Sequence, residues 1–236
     1  MAVKRGLLPI LAALLGSASL ASAACDPSSL DNSTFLYNVT VDGTTIFDIA
    51  NATGRGVCDI GRQNIMANVT IVPNVGESIL IPAQTCEPDN ESCILKPDPN
   101  PRNCLLGGPR LYYTVRGDTF DKIALRLNMT AESIMIGTTP GNRTSTGVTN
   151  SSQELQAGSF LKIPQCEPSQ CIMQPYSFKW GVYKDLAEKF GTTVGQIMML
   201  SPTYNYSSKA FLGGSFPPIT MAINCTVLSD NTTVLE

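Results

Sequence analysis

The chain has 236 residues, 16 basic and 19 acidic, no histidine and a net charge of −3. That modest negative charge offers no grip to nucleic acid or to an anionic membrane, and the lack of histidine removes the base from Ser-His and Cys-His nucleophiles. A neutral ligand suits such a surface better.

Residues 1–23 carry the features of a secretory signal: Lys4 and Arg5, an apolar run over 7–20, and the small-residue cleavage site Ala21-Ser22-Ala23. The run is too short and alanine-rich for a spanning helix, so the expected product is extracellular with no membrane anchor. Taking Lys4 and Arg5 from the 16 basic residues leaves 14 against 19 acidic, a charge of −5. All eight cysteines, Cys25, Cys58, Cys86, Cys93, Cys104, Cys166, Cys171 and Cys225, lie beyond the cleavage site. An even number in a secreted chain reads as four disulfides, and the absence of histidine argues against a metal site. No cofactor is expected, and the sequence does not choose the pairing. Asn-X-Ser/Thr marks Asn32, Asn38, Asn51, Asn68, Asn90, Asn128, Asn142, Asn150, Asn205 and Asn231 as candidate N-glycosylation sites. The same pattern at Asn224 encloses Cys225 and is set aside.

The first folded unit is predicted over 34–86. It holds a strand over 35–41, a helix over 44–53 with Ile46, Ile49 and Ala50 on one face, a second helix over 57–66, and a return strand over 77–82. Prolines at 88, 97, 99, 101 and 109 make 87–109 a stiff, cysteine-stapled linker. The second unit, 110–166, opens with YTVRGDTFDKIA at 113–124. There Tyr113 and Val115 alternate as in a strand, and Gly117 breaks the pattern. Asp118 or Thr119 then caps a helix whose apolar face is Phe120, Ile123, Ala124 and Leu127. Asp121 joins Asp118 at that helix start, where carboxylates serve capping and the helix dipole. A second helix over 130–137 and a closing strand over 155–164 complete the unit.

The third unit, 172–225, begins YSFKWGVYKDLA at 176–187 and has a capping box, Thr193 to Gln196, at its second helix. Its closing segment, 213–220, carries Pro217 and Pro218, so a short or edge strand is expected. Residues 226–236 read as a disordered tail. Residues 37–50 (YNVTVDGTTIFDIA), 113–124 and 176–187 are therefore one phrase written three times, and a repeat outranks any single motif.

The strand, the Gly-Asp-Thr-aromatic turn, the helix pair and the closing Ile-Pro strand resemble the LysM (lysin motif) module. Three such modules behind a signal peptide with eight cysteines resemble the secreted three-LysM effectors of fungi. The resemblance implies an α+β fold: three small βααβ LysM modules stabilised by four disulfides. Units of about 50 residues bury little, and each bridge adds roughly 2–4 kcal/mol.

The implied ligand is chitin, a neutral N-acetylglucosamine polymer, held between the loop after the first strand and the loop before the last. By position, that groove is Gly43, Thr44, Thr45 and Ile46 facing Thr70, Ile71 and Val72 in the first module. In the second it is Gly117, Asp118, Thr119 and Phe120 facing Ser151, Ser152, Gln153, Glu154 and Leu155. In the third it is Gly181, Val182 and Tyr183 facing Ser207, Ser208, Lys209, Ala210 and Phe211. Ile46, Phe120 and Tyr183 also read as ordinary core residues. In the third module Trp180 stands at the turn glycine and Gly181 at the aspartate, so that tryptophan is a stacking face for a sugar or for the first module.

A long first linker and a short second one allow modules one and three to clamp a single oligomer, with a gain from effective concentration. The expected role is to sequester chitin fragments from host immunity, to shield hyphal walls from chitinases, or both; ligand-induced self-association is left open. The alternatives are a structural or adhesive wall protein, a disulfide-rich protein-binding inhibitor, and peptidoglycan as ligand. With no paired acids and no histidine, no enzyme is expected.

Overall fold

The computed structural model describes residues 25–136, 148–202, 204–207 and 218–229. Three β-α-α-β units follow one another, each closed by antiparallel pairing of its first and last strands. The first comprises β1 (Phe35–Asn38), α1 (Ile46–Thr53), α2 (Val57–Gln63) and β2 (Ser78–Ile81). Thr45 and Asp48 close a capping box at the start of α1, and Gly54, at φ 63°, ends it.

α2 has no side-chain cap of its own. The chain beyond β2 supplies one: Cys58 N–H donates to the Asp89 carbonyl (2.8 Å) and Val57 N–H to Asn90 Oδ1 (3.0 Å). Sequence periodicity carries this helix to residue 66, yet it stops at Gln63. The reason is Asn64, whose buried amide donates to the Leu80 carbonyl (2.7 Å) and accepts Leu80 N–H (2.8 Å). Its side chain stands in for a neighbouring strand along β2.

The linker contains β3 (Leu105–Leu106). The second unit follows as β4 (Leu111–Tyr113), α3 (Phe120–Leu127), α4 (Ala131–Ile136) and β5 (Phe160–Lys162), after which β6 (Gln165–Cys166) returns to pair in parallel with β3. Thr119 caps α3 by accepting Lys122 N–H, and Asn128, at φ 54°, ends it. The third unit comprises β7 (Ser169–Tyr176), α5 (Tyr183–Phe190), α6 (Val194–Leu200) and β8 (Ile219–Val227).

Three sequence expectations change in this third unit. Its closing strand is an edge, in the two-stranded β7–β8 sheet, but it is not short: the nine-residue β8 begins immediately after Pro218, which has no N–H to give. Thr226 and Val227 belong to that strand rather than to a tail, and residues 230–236 lie outside the described residues. At α6, Thr193 accepts Gln196 N–H as a cap should, but Gln196 does not close the box on the Thr193 backbone: its Oε1 accepts from the Thr192 and Thr193 hydroxyls (3.2 Å each), and its Nε2 donates to the Leu106 carbonyl (3.1 Å).

All eight cysteines pair, as Cys25–Cys86, Cys58–Cys93, Cys104–Cys166 and Cys171–Cys225. The second and third units share one core, in which Tyr112, Phe120 and Leu127 meet Phe178, Leu186 and Ile197. α3 and α6 approach so closely that a Cβ on Gly195 would lie 2.4 Å from Leu127 Cδ2. The first unit keeps a core of its own around Ile46, Ile49, Ile60 and Ile79. The two cores exchange residues: Val182 enters the first, while Ile65, Ala67 and Ile71 join the second. Each large apolar side chain so buried contributes roughly 1.5–3 kcal/mol to the seam.

Candidate functional site

The strand registers bring two loops to the same end of each unit. Asn38 opposes Ser78, Tyr113 opposes Phe160, and Tyr176 opposes Ile219, so the loop leaving the first strand and the loop entering the last one are neighbours. The three resulting loop pairs nevertheless differ in what remains available.

In the second unit the turn is built around Asp118, which is fully buried. Its carboxylate accepts Val115 N–H (2.9 Å) and the Tyr112 hydroxyl (3.2 Å) and forms an ion pair with Arg126 of α3, itself only 3% exposed. Arg126 also donates to the Tyr112 oxygen (2.7 Å). A charge pair taken out of water survives only when its hydrogen bonds are nearly all met. Asp118 therefore holds the turn from inside: Thr119 is the cap of α3, and the Asp118 side chain is closed off from solvent. Burial pushes the Tyr112 hydroxyl above the usual phenol range.

Asp121, the other expected helix-start carboxylate, accepts a hydrogen bond from the Ser152 hydroxyl. The two loops here are bonded to each other. Leu155 N–H donates to the Asp118 carbonyl (2.8 Å), Asp121 N–H to Ser151 O (3.2 Å), and Gly117 N–H to the Glu154 carboxylate (3.0 Å). Gln153 is exposed beside them, Thr119 is occupied as the cap, and Phe120 is core. A ligand seeking the Gly117 amide must displace Glu154.

In the third unit Gly181, Val182, Tyr183 and Ser207 are all buried. Gly181 N–H donates to the Arg62 carbonyl and Tyr183 N–H to the Met66 carbonyl, both at 3.1 Å, while the Ser207 hydroxyl donates to Glu77. The third turn thus rests on the first unit and does not face that unit's turn across a gap. Ser208, Lys209, Ala210 and Phe211 lie outside the described residues. Trp180 is 63% exposed, with the Arg62 guanidinium 5.8 Å from its ring centre. Arg62 is pinned between Asp185 (3.0 Å) and Asp89 (2.7 Å), and the hydrogen bond it donates to the Asp185 carboxylate raises its pKa further.

In the first unit Gly43 is exposed at φ 81°, with open space where a Cβ would stand, and Thr44, Thr45, Thr70 and Val72 are partly exposed. Ile46 and Ile71 are buried. Among the described residues no hydrogen bond ties Gly43, Thr44 or Thr45 to Thr70, Ile71 or Val72. Asp42, at the edge of this turn, forms a two-pronged pair with Arg116 of the second unit. That pair, the Arg62 clamp and the Asp118–Arg126 pair went unread in the sequence, because apolar periodicity carries no record of which charges meet.

Among the sequons, Asn32, Asn38, Asn51, Asn90 and Asn150 are exposed and Asn128 and Asn205 partly so. Asn68 is the exception at 5% exposure, and its Oδ1 accepts both Thr70 N–H and the Thr70 hydroxyl, at 2.9 Å each. Asn142 and Asn231 lie outside the described residues.

Residues 112–136, the heart of the second unit, match the family model of the LysM domain. The chain is thus a disulfide-braced α+β protein that carries a LysM domain. Across 230 residues it is 43% identical to the secreted LysM effector LysM13 of Penicillium expansum, covering 94% of this chain and 95% of that one. It is 30% identical over 188 residues to the secreted LysM effector ECP6 of Passalora fulva, covering 78% of each. A third relative, the secreted LysM effector ELP2 of Colletotrichum higginsianum, is 33% identical over 124 residues, 52% of this chain and 64% of that one. The chain belongs to the secreted LysM effectors, and its place of action is extracellular.

Proposed function

We propose that this effector binds chitin oligomers without turning them over, keeping chitin fragments from host receptors or covering hyphal walls against chitinases. In this reading all three β-α-α-β units are LysM modules, and the first supplies the principal grip. The observation that carries it is the open pair of loops in the first unit. Gly43 to Thr45 and Thr70 to Val72 sit at one end of the β1–β2 ladder, with Gly43 exposed, Thr44, Thr45, Thr70 and Val72 partly exposed, and no mutual hydrogen bonds among the described residues.

Such a pair suits an uncharged acetylated sugar. Backbone N–H and C=O groups can meet each amide, small apolar side chains can take its methyl, and no charge is required. The clamp between first and third turns is not part of this reading, because the third turn's amides are already bonded to Arg62 and Met66.

Titration calorimetry with chitin oligomers of increasing length tests the proposal. The expected outcome is affinity that rises with length and falls by about tenfold or more in Thr44→Trp, which fills the first unit's rim. Equal affinity in both proteins, or no binding to chitin beads, refutes it. Abolition of a chitin-triggered oxidative burst in plant cells then separates sequestration from wall anchorage.

A further inference from the structure

A second cleft, of about 400 Å³, opens where all three units meet. Its walls are Ile71 and Val72 from the first unit, the strand end and turn from Tyr113 to Arg116 with Ala157 and Gly158 from the second, and Tyr204 to Ser207 from the third. The cleft carries two charged side chains, and both are engaged. Arg116 forks the Asp42 carboxylate, while Glu77 accepts from Asn74 (2.7 Å) and from Ser207.

What remains to face a ligand is neutral. The Tyr113 ring is braced edge-on by Phe160, with centroids 5.2 Å apart, and its hydroxyl has no hydrogen-bond partner among the described residues. Ala157 and Gly158 form a low wall, with the Tyr113 hydroxyl 3.5 Å from where a Cβ on Gly158 would stand. Ile71 and Val72 add an apolar patch, and Tyr204 adds a second aromatic ring. Aromatic faces, one free hydroxyl and small apolar side chains without spare charge are the inventory for a neutral sugar carrying an N-acetyl group.

We propose that this three-walled cleft is a second sugar subsite, in which the second unit, through Tyr113 and Ala157, holds N-acetylated sugars of the oligomer gripped by the first unit. The proposal rests on the chitin reading above, since Ile71 and Val72 border both the first unit's rim and the cleft. It gives the second unit a role away from Gly117, whose amide is occupied by Glu154. It also makes the ligand a tie across all three units, because each contributes a wall.

The test uses the full secreted protein, titrated with a long and a short chitin oligomer. Ala157→Trp, at an exposed position, fills the cleft, and Tyr113→Phe removes only the free hydroxyl. Binding of the long oligomer is expected to weaken about tenfold in Ala157→Trp and measurably in Tyr113→Phe, with the short oligomer less affected. Unchanged binding in both variants, alongside loss in Thr44→Trp, overturns the subsite and leaves the chitin reading standing. No binding by the unaltered protein overturns both.

If Ala157→Trp does not fold, hydrogen exchange on the unaltered protein decides. Saturating oligomer is expected to protect peptides spanning 113–116 and 157–158. Protection confined to 43–46 and 70–72 overturns the subsite.

Discussion

Asp118 and Arg126 are the residue pair on which the second unit depends. Removing one charge of a buried pair strands the other in a medium that cannot solvate it, at a cost of about 3–5 kcal/mol. Asp118→Asn keeps the size and an acceptor for Val115 N–H, so it isolates the charge. We expect it to destabilise the protein by that amount in urea unfolding, and Asp118→Asn with Arg126→Gln to cost less than the two single changes added together. Additive losses would mean that the two side chains do not act as a pair. The sequence marked Asp118 as important for the wrong reason. A carboxylate beside a helix start is ordinarily a cap, and nothing local to positions 112–126 reveals that Tyr112 and Arg126 close over it.

At the scale of elements, the α3–α6 crossing sets two effects against each other. Replacing glycine with alanine inside a helix normally gains about 1 kcal/mol. At Gly195 the new methyl would meet Leu127 Cδ2 at 2.4 Å and the Arg126 carbonyl at 3.2 Å. Overpacking of that kind costs about 1–3 kcal/mol, so Gly195→Ala is expected to lower the melting temperature; a rise would show that the helices have room to part. The helices themselves were legible, because the 3.6-residue apolar period and the threonine caps of α1, α3 and α6 are written locally. The end of α2 was not, since Asn64 leaves the helix to serve Leu80, 16 residues further on. Nor was the length of β8, because two prolines mask a strand that begins immediately after them. The first unit's turn was legible from Gly43, whereas the burial of the third turn depends on another unit's backbone.

Over the whole molecule, the pH dependence of stability below neutrality rests on carboxylates. There is no histidine, and every cysteine is bridged. The Arg55 guanidinium holds Asp31 well below the usual carboxylate range, Arg116 lowers Asp42, and the Thr45 hydroxyl lowers Asp48. A carboxylate whose folded pKa is depressed stabilises the fold above its unfolded value of about 3.9, and that contribution is lost as pH falls through the folded value. The melting temperature is thus expected to be flat between about pH 5 and 7 and to drop below about pH 4. Calorimetric scans across that range check this, and a step near pH 6 would contradict it.

The bridges partition the chain in a way that bears on its survival among proteases. Cys25–Cys86 and Cys58–Cys93 fall wholly before residue 94, and Cys104–Cys166 and Cys171–Cys225 wholly after residue 103. A single nick within 94–103 would leave two sulfur-locked halves with no covalent bond between them, held by non-covalent contacts alone, among them the exchanged core residues Val182, Ile65 and Ile71, the Gly181 and Tyr183 amides on Arg62 and Met66, the Arg62–Asp185 pair and the Asp42–Arg116 fork. Their partnership would then obey mass action and dissolve on dilution, and a cleft with walls from both halves would dissolve with it.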